Sequence, residues 1–225
     1  MYPYILLKKD FNIFPIFWKE KKNIFFLSME DWSEWIRTLS NNDIKNQKIF
    51  QEKIEEVMTK NNTDIVISWY LENRKRMFSV LGFKQMISEW RIFHLWLDLS
   101  IKKDIPIYAP LNSKVYDANY EKWDWNYGWY IILEHNIDSY KFYTLYWHLN
   151  PNNFLIKKWD KILKWTKLWT IWDFSHNWGY FFHTHLQVIT ELWKKEWFFN
   201  KWYCKKEQIK DIEKYVPNPN FLFRY

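Results

Sequence analysis

"KKWDKILKWTKLWTIWD", residues 157–173, carries Trp159, Trp165, Trp169 and Trp172 within a single lysine-rich segment. The runs between them, such as KILKW, are short and β-rich, so the tryptophans fall where tight turns belong. Turn positions with φ > 0 call for glycine, and an indole there is strained and often exposed. Composition points the same way. The 225-residue chain holds 18 Trp and only 3 Gly, against roughly 7% Gly, about 16 residues, in an ordinary globular chain of this length. The chain is also crowded with Lys, Asn, Ile, Phe and Tyr, and Ala109 and Ala118 are its only alanines. That is the composition of an AT-rich genome, and UGA encodes glycine in some bacterial codes. The expectation is therefore that many of these tryptophans stand where the native chain has glycine. The segment then reads KKGDKILKGTKLGTIGD, with glycine at each strand-to-strand turn.

Working outward, residues 92–190 contain further short β-rich runs: IPIYAP, SKVYDANY, YIILEH, KFYTLYWHL and FFHTHLQVIT. Pro, Asn, Asp and Trp separate them at turn-like spacing, which predicts a mainly β fold with a compact antiparallel core. Upstream, residues 4–28 read as short strands and turns. Residues 41–60 read as a helix with an approximate stripe of Ile44, Ile49, Ile54 and Val57. DIVISWY (64–70) reads as a strand, followed by a polar, basic stretch and a short helix near 82–90. Residues 207–215 suggest a last short helix and PNPN (217–220) a terminal turn. The expected organisation is a small N-terminal α/β appendage over 1–62 that buttresses the core, a β core over 63–215 with its motifs in 94–190, and a tail over 216–225.

The net charge of +7 is dispersed as single and paired lysines, which favours solubility and gives no nucleic-acid groove. One cysteine, Cys204, excludes an internal disulfide and a CxxC-type site, leaving packing as its role. The N-terminus lacks a basic start before an apolar run and a small-residue cleavage site, and no run of 18 apolar residues spans a membrane. A cytoplasmic protein is expected; export would need a route the sequence does not display.

Four of the six histidines carry the chemistry. HLWLD places His94 four residues before Asp98, YWHLN contains His148, and FFHTHLQV contains His183 and His185. Side chains two or four residues apart on an extended strand share a face, so His183 and His185 project together, as His94 and Asp98 do where that segment is extended. Two imidazoles and a carboxylate form a three-ligand zinc site with a position left for water. Such a site activates water and polarises a carbonyl, and a nearby unligated imidazole moves protons.

These residues resemble the lysostaphin-type zinc metallopeptidase family, which contains many peptidoglycan endopeptidases. With Trp read as Gly, the segments HLGLDLS, IPIYAPLNSKV, NYGGYIILEH, FYTLYGHLN, KKGD…GTIGD and NGGYFFHTHLQV follow the family's order across roughly residues 64–222. Trp96, Trp129, Trp147, Trp159, Trp165, Trp169 and Trp172 then sit at family glycine positions. The resemblance implies the duplicated hybrid motif fold, Zn2+ held by His94, Asp98 and His185, and His148 with His183 as the catalytic pair. It implies a peptide or peptidoglycan-like substrate. His135 and His176 read as structural, and Glu134 as a solvated strand residue. Asp104 and Ser113 stand where many members have glycine.

The recoded segment over 197–220 resembles a branch fused to aminotransferase-like enzymes, which implies association with such an enzyme and an intracellular substrate. Two other readings compete. One is a catalytically inactive β module that binds glycan, peptide or a partner protein; the other is a lipoyl-like carrier, although this chain lacks the lysine hairpin such carriers use.

Overall fold

The computed structural model describes residues 13, 15–17, 24–102, 105–121, 128–150, 156–170, 181–195 and 202–223. Asp104, Trp172, His176, the 177–179 segment and most of the expected N-terminal strand-and-turn region lie outside the described residues.

A parallel crossover precedes the core strands. Strand β1 (Ile24–Phe26) pairs in parallel with β2 (Ile65–Ile67), Phe25 opposite Val66. Parallel neighbours need a long connection, and it is supplied by α1 (Glu34–Thr38), α2 (Asn41–Lys45) and α3 (Gln47–Lys60). The sequence suggests one helix over 41–60, but the chain forms two. Asn46 adopts an extended conformation between them, and its side chain accepts from the backbone N–H groups of Lys48 and Ile49. A capping asparagine thus stops one helix and starts the next. Phe50, Ile54 and Met58 recur every four residues along α3 and pack with Val66 and Phe181 in one buried cluster.

After β2, the polar, basic stretch becomes helix α4 (Lys75–Leu81), and α5 (Lys84–Ser88) follows. Gly82 closes α4 with φ 82°, the left-handed C-cap that favours glycine. The core strands are β3 (Phe93–His94), β4 (Leu97–Ile101), β5 (Ile107–Tyr108), β6 (Ser113–Glu121), β7 (Gly128–Ile137), β8 (Tyr140–Trp147), β9 (Lys161–Ile162), β10 (Lys167–Trp169), β11 (His183–Thr190) and β12 (Tyr203–Cys204). Helix α6 (Glu191–Lys195) follows β11 and the short α7 (Ile209–Ile212) follows β12. One 3-10 turn, Lys206–Gln208, precedes α7 and another, Pro219–Phe223, ends the described chain.

Eight strands form the main sheet in the order β1-β2-β4-β11-β8-β7-β6-β9. Apart from the β1–β2 pair its ladders are antiparallel. The fold is therefore mainly β, with the N-terminal βαβ unit extending the same sheet.

Both faces of the sheet are covered, and the period-two alternation of the strands sorts the residues between them. Phe142 and Tyr146 of β8, Leu186 and Val188 of β11, and Leu97, Leu99 and Ile101 of β4 pack into one apolar cluster. Tyr143, Leu145 and Trp147 point to the opposite face, with Ile189, Leu95 and Trp96. On that second face, Asp98, Ser100, His183 and Gln187 are buried polar residues. A polar band between apolar neighbours signals a site, since such groups are rarely buried without a partner or a task.

Candidate metal centre

The register between β4 and β11 builds the centre. His185 lies directly opposite Asp98 and His183 opposite Ser100, so the same-face pair from HTH and the carboxylate from HLWLD meet across one ladder. His185 Nε2 is 3.1 Å from Asp98 Oδ1. His94 comes from the end of β3; a break at Leu95 and Trp96 separates it from β4, and its Nε2 lies 3.5 Å from the same Oδ1. His148 follows β8 directly and adopts φ 61°, a left-handed conformation that is uncommon for a residue with a side chain. Its ring centroid lies 5.0 Å from that of His183 and 4.6 Å from that of His185. All five residues singled out in the sequence therefore stand in one cluster.

Two overlapping three-residue sets share His185. Asp98 Oδ1 faces His94 and His185. His148, His183 and His185 each offer a ligand atom within 4.8 Å of the others, and the Nε2 atoms of His183 and His185 are 2.7 Å apart.

Burial controls the protonation of the cluster. It pulls His94 down to about 4 and His185 down to about 3 from the ordinary 6.5, and it depresses His148 and His183 as well. The rings are neutral at pH 7, the state a metal ligand requires. Asp98 responds differently. Burial alone would raise its pKa, but the Arg74 guanidinium and then the two histidines hold it well below the usual carboxylate range. The contacts of Asp98 with His94 and His185 are thus carboxylate-to-neutral-imidazole contacts rather than ion pairs.

The nitrogens available also fit a metal. Both ring nitrogens of His94, Nδ1 of His148 and Nδ1 of His185 are buried with no hydrogen-bond partner among the described residues, and buried polar atoms are otherwise almost always satisfied. His183 differs, since its Nδ1 contacts the Phe181 carbonyl at 2.7 Å. A carbonyl only accepts, so Nδ1 carries the proton and the neutral ring presents a lone pair at Nε2.

A cavity of about 780 Å³ opens beside the cluster, lined by Asp98, His148, His183 and His185 together with Met77, Phe83 and Met86 of the α4–α5 region. Trp96 also lines it. Its indole Nε1 donates to Asp98 Oδ1 at 3.1 Å and its ring stacks on His185 with centroids 4.5 Å apart. The indole therefore competes for the ligand atoms a metal would use.

Glu72 and Arg74 were not singled out in the sequence. They belong to a stretch read only as polar and basic, and nothing in its spacing marks a buried role. Cys204, by contrast, is fully buried next to β3, where burial raises its thiol to about 12. His135 has its Nε2 2.8 Å from Thr144 Oγ1 and its Nδ1 3.3 Å from the Asn112 carbonyl, a satisfied position on the other face of the sheet.

No family model matches the chain, and no curated protein matches it. Among solved structures the fold is similar to lysostaphin, at 21% identity and a TM-score of 0.36 over 44% of this chain and 37% of lysostaphin. It is also similar to a zinc-containing peptidase from Vibrio cholerae, at 23% identity and a TM-score of 0.34 over 44% of this chain and 28% of that one. A third similar structure is Helicobacter pylori Csd3, at 17% identity and a TM-score of 0.34 over 44% of this chain and 24% of that one. The chain thus spans well under two thirds of each of these proteins. Among the described residues no helix is long and apolar enough to cross a membrane.

Proposed function

We propose that the protein is a zinc-dependent metallopeptidase that hydrolyses a peptide bond in a peptide or peptidoglycan-like substrate, with His94, Asp98 and His185 holding the metal. The observation that carries this reading is the convergence of neutral, partly unpartnered imidazoles on one oxygen of a buried carboxylate. Bound there, zinc would supply Lewis acidity toward a peptide carbonyl and lower the pKa of water. The chain's own residues do the rest. His183, with its proton fixed on Nδ1 by the Phe181 carbonyl, offers Nε2 as the base that takes a proton from water and returns it to the leaving amine. His148, neutral and held at its left-handed backbone position, donates from its ring to the developing oxyanion. The apolar wall of Met77, Phe83 and Met86 holds the substrate chain against this group and excludes water.

We also infer that the native chain has glycine at several of its tryptophans. Local geometry supports this at three positions. Trp159 and Trp165 adopt φ 79° and 71°, and each is the third residue of a turn closed by Asp160 N to Lys157 O or by Thr166 N to Leu163 O, both 3.1 Å. A positive φ at that position calls for glycine. Trp90, at φ 56°, ends α5 through the bonds Arg91 N to Met86 O and Trp90 N to Ile87 O, the helix-closing pattern in which glycine dominates. Trp96, Trp129 and Trp147 show no positive φ, and for them the reading rests on the family pattern. At residue 96 glycine would also free Asp98 Oδ1. With tryptophan retained there, the hydrogen bond from its indole to Asp98 favours the inactive binding module instead.

The decisive experiment is the zinc content of purified chain carrying Trp96→Gly. About one zinc per chain, lost in Asp98→Ala and His185→Ala but kept in His148→Ala, is expected. No zinc in the parent overturns the enzyme reading and leaves the binding module. Separately, the intact mass of natively made protein tests the glycine reading, and agreement with the literal tryptophan sequence would refute it.

A further inference from the structure

Asp98 is held by a buried polar chain that starts at Arg74, which also lines the cavity. Arg74 Nη1 donates to Asp98 Oδ2 at 2.6 Å, and Arg74 Nη2 donates to Glu72 Oε2 at 2.7 Å. Glu72 Oε1 in turn accepts the backbone N–H of Met29 at 2.6 Å. The side chains of Glu72, Arg74 and Asp98 are each 5% exposed or less. A second anchor fixes the strand itself, because Ser68 Oγ accepts the Asp98 backbone N–H at 2.8 Å.

We propose that Arg74, held in place by Glu72, is the positioning residue that keeps Asp98 a ligand through Oδ1 alone. This inference rests on the metal reading above and adds a residue pair to it. The two carboxylate oxygens have been given different tasks. Oδ2 is committed to the guanidinium, while Oδ1 faces His94 and His185. A carboxylate free on both oxygens can swing to embrace a cation with both, which adds a ligand and fills the position water needs. The planar guanidinium, bonded at once to two carboxylates, blocks that rotation. Glu72 has a second effect. It neutralises Arg74, so that the negative charge of Asp98 remains available to a cation instead of being cancelled from behind. Lysine at 74 offers one point charge and no planar fork, so it cannot reproduce both bonds in the same geometry.

The test uses the 225-residue chain with Trp96→Gly as parent and compares Glu72→Gln, Arg74→Lys and the double variant Glu72→Gln/Arg74→Gln. The double variant avoids leaving two buried carboxylates without a cation, so a failure of Arg74→Lys to fold does not end the test. Zinc affinity is measured by competition with a chromophoric chelator, and coordination by the visible spectrum of the Co2+-loaded chain. The expected result is a 10–100-fold weaker zinc affinity in folded variants. With it, the intense Co2+ absorption of a four-coordinate site should fall to the weak absorption of a five-coordinate one in the double variant. His135→Asn, which alters a buried polar residue away from the cluster, serves as control and should leave both readouts unchanged. If the parent binds zinc and the Glu72 and Arg74 variants match it in affinity and Co2+ spectrum, the positioning role is overturned while the metal site stands. If the parent binds neither metal, the site and this inference fall together.

Discussion

Replacing Trp159, Trp165 and Trp90 by glycine and, in parallel, by alanine isolates the backbone from everything the indole does. Each indole is about half exposed, at 56%, 51% and 59% respectively, and each lies near a lysine. The Lys114, Lys164 and Lys75 ammonium groups sit 4.4, 5.6 and 4.5 Å from the respective ring centroids. Both replacements remove those contacts equally, so their difference reports only whether a Cβ is tolerated. A side chain held in the left-handed region costs roughly 1–2 kcal/mol. Glycine gives back about 0.4–1 kcal/mol through the greater entropy of its unfolded chain. The net preference for glycine is then about 1 kcal/mol per site, or about 3 kcal/mol for the three acting independently. At about 2–4 °C per kcal/mol for a chain of this size, the triple-glycine chain should melt about 6–12 °C above the triple-alanine chain. The assay is thermal unfolding followed by far-ultraviolet circular dichroism. Trp35, the second residue of α1, is the control, and there the sign reverses, with alanine favoured over glycine by up to about 1 kcal/mol. Alanine equal to or better than glycine at 159, 165 and 90 would refute the argument from backbone geometry.

Acid should destabilise the metal-free protein through its buried histidines. His135 titrates near 4 when folded because of burial, against 6.5 for an exposed ring, so the unfolded chain binds the proton first as pH falls. Its stabilising effect is complete above 6.5 and is lost down to about 4, with about 2 kcal/mol disappearing between pH 7 and pH 5. Urea midpoints for parent and His135→Asn over that interval check this, and equal pH slopes would count against it. His183→Ala in the Trp96→Gly chain should keep its zinc yet lose about 10²–10⁴-fold in peptide hydrolysis; loss of zinc instead would make His183 a ligand. Cys204 should react with a disulfide reagent only as fast as the protein unfolds, because burial raises its thiol to about 12. Rapid labelling of folded protein would contradict its buried placement.

Much of the centre was legible because its signals are local. The period of a strand puts His183 and His185 on one side whatever surrounds them. The turns expected at Trp159 and Trp165 are also present, and the backbone there has positive φ. Less legible was the region before the core. The split at Asn46 depended on a side-chain cap, and α4 was hidden in a charged stretch whose buried face comprises only Met77 and Phe78.

By itself, the sequence determined the β-rich texture, the turns at Trp159 and Trp165 but not the one expected at Trp169, which ends strand β10, and the identity of the five chemically capable side chains. It could do so because propensity, alternation and turn geometry are properties of neighbouring residues. Tertiary structure alone decided that His185 stands opposite Asp98, that the indole of Trp96 lies over the ligand atoms, and that Arg74 bridges Asp98 to Glu72. These are pairings between strands and loops brought together from distant parts of the chain. They are set by the register that best buries both faces of the sheet, and no local pattern in the sequence encodes that choice.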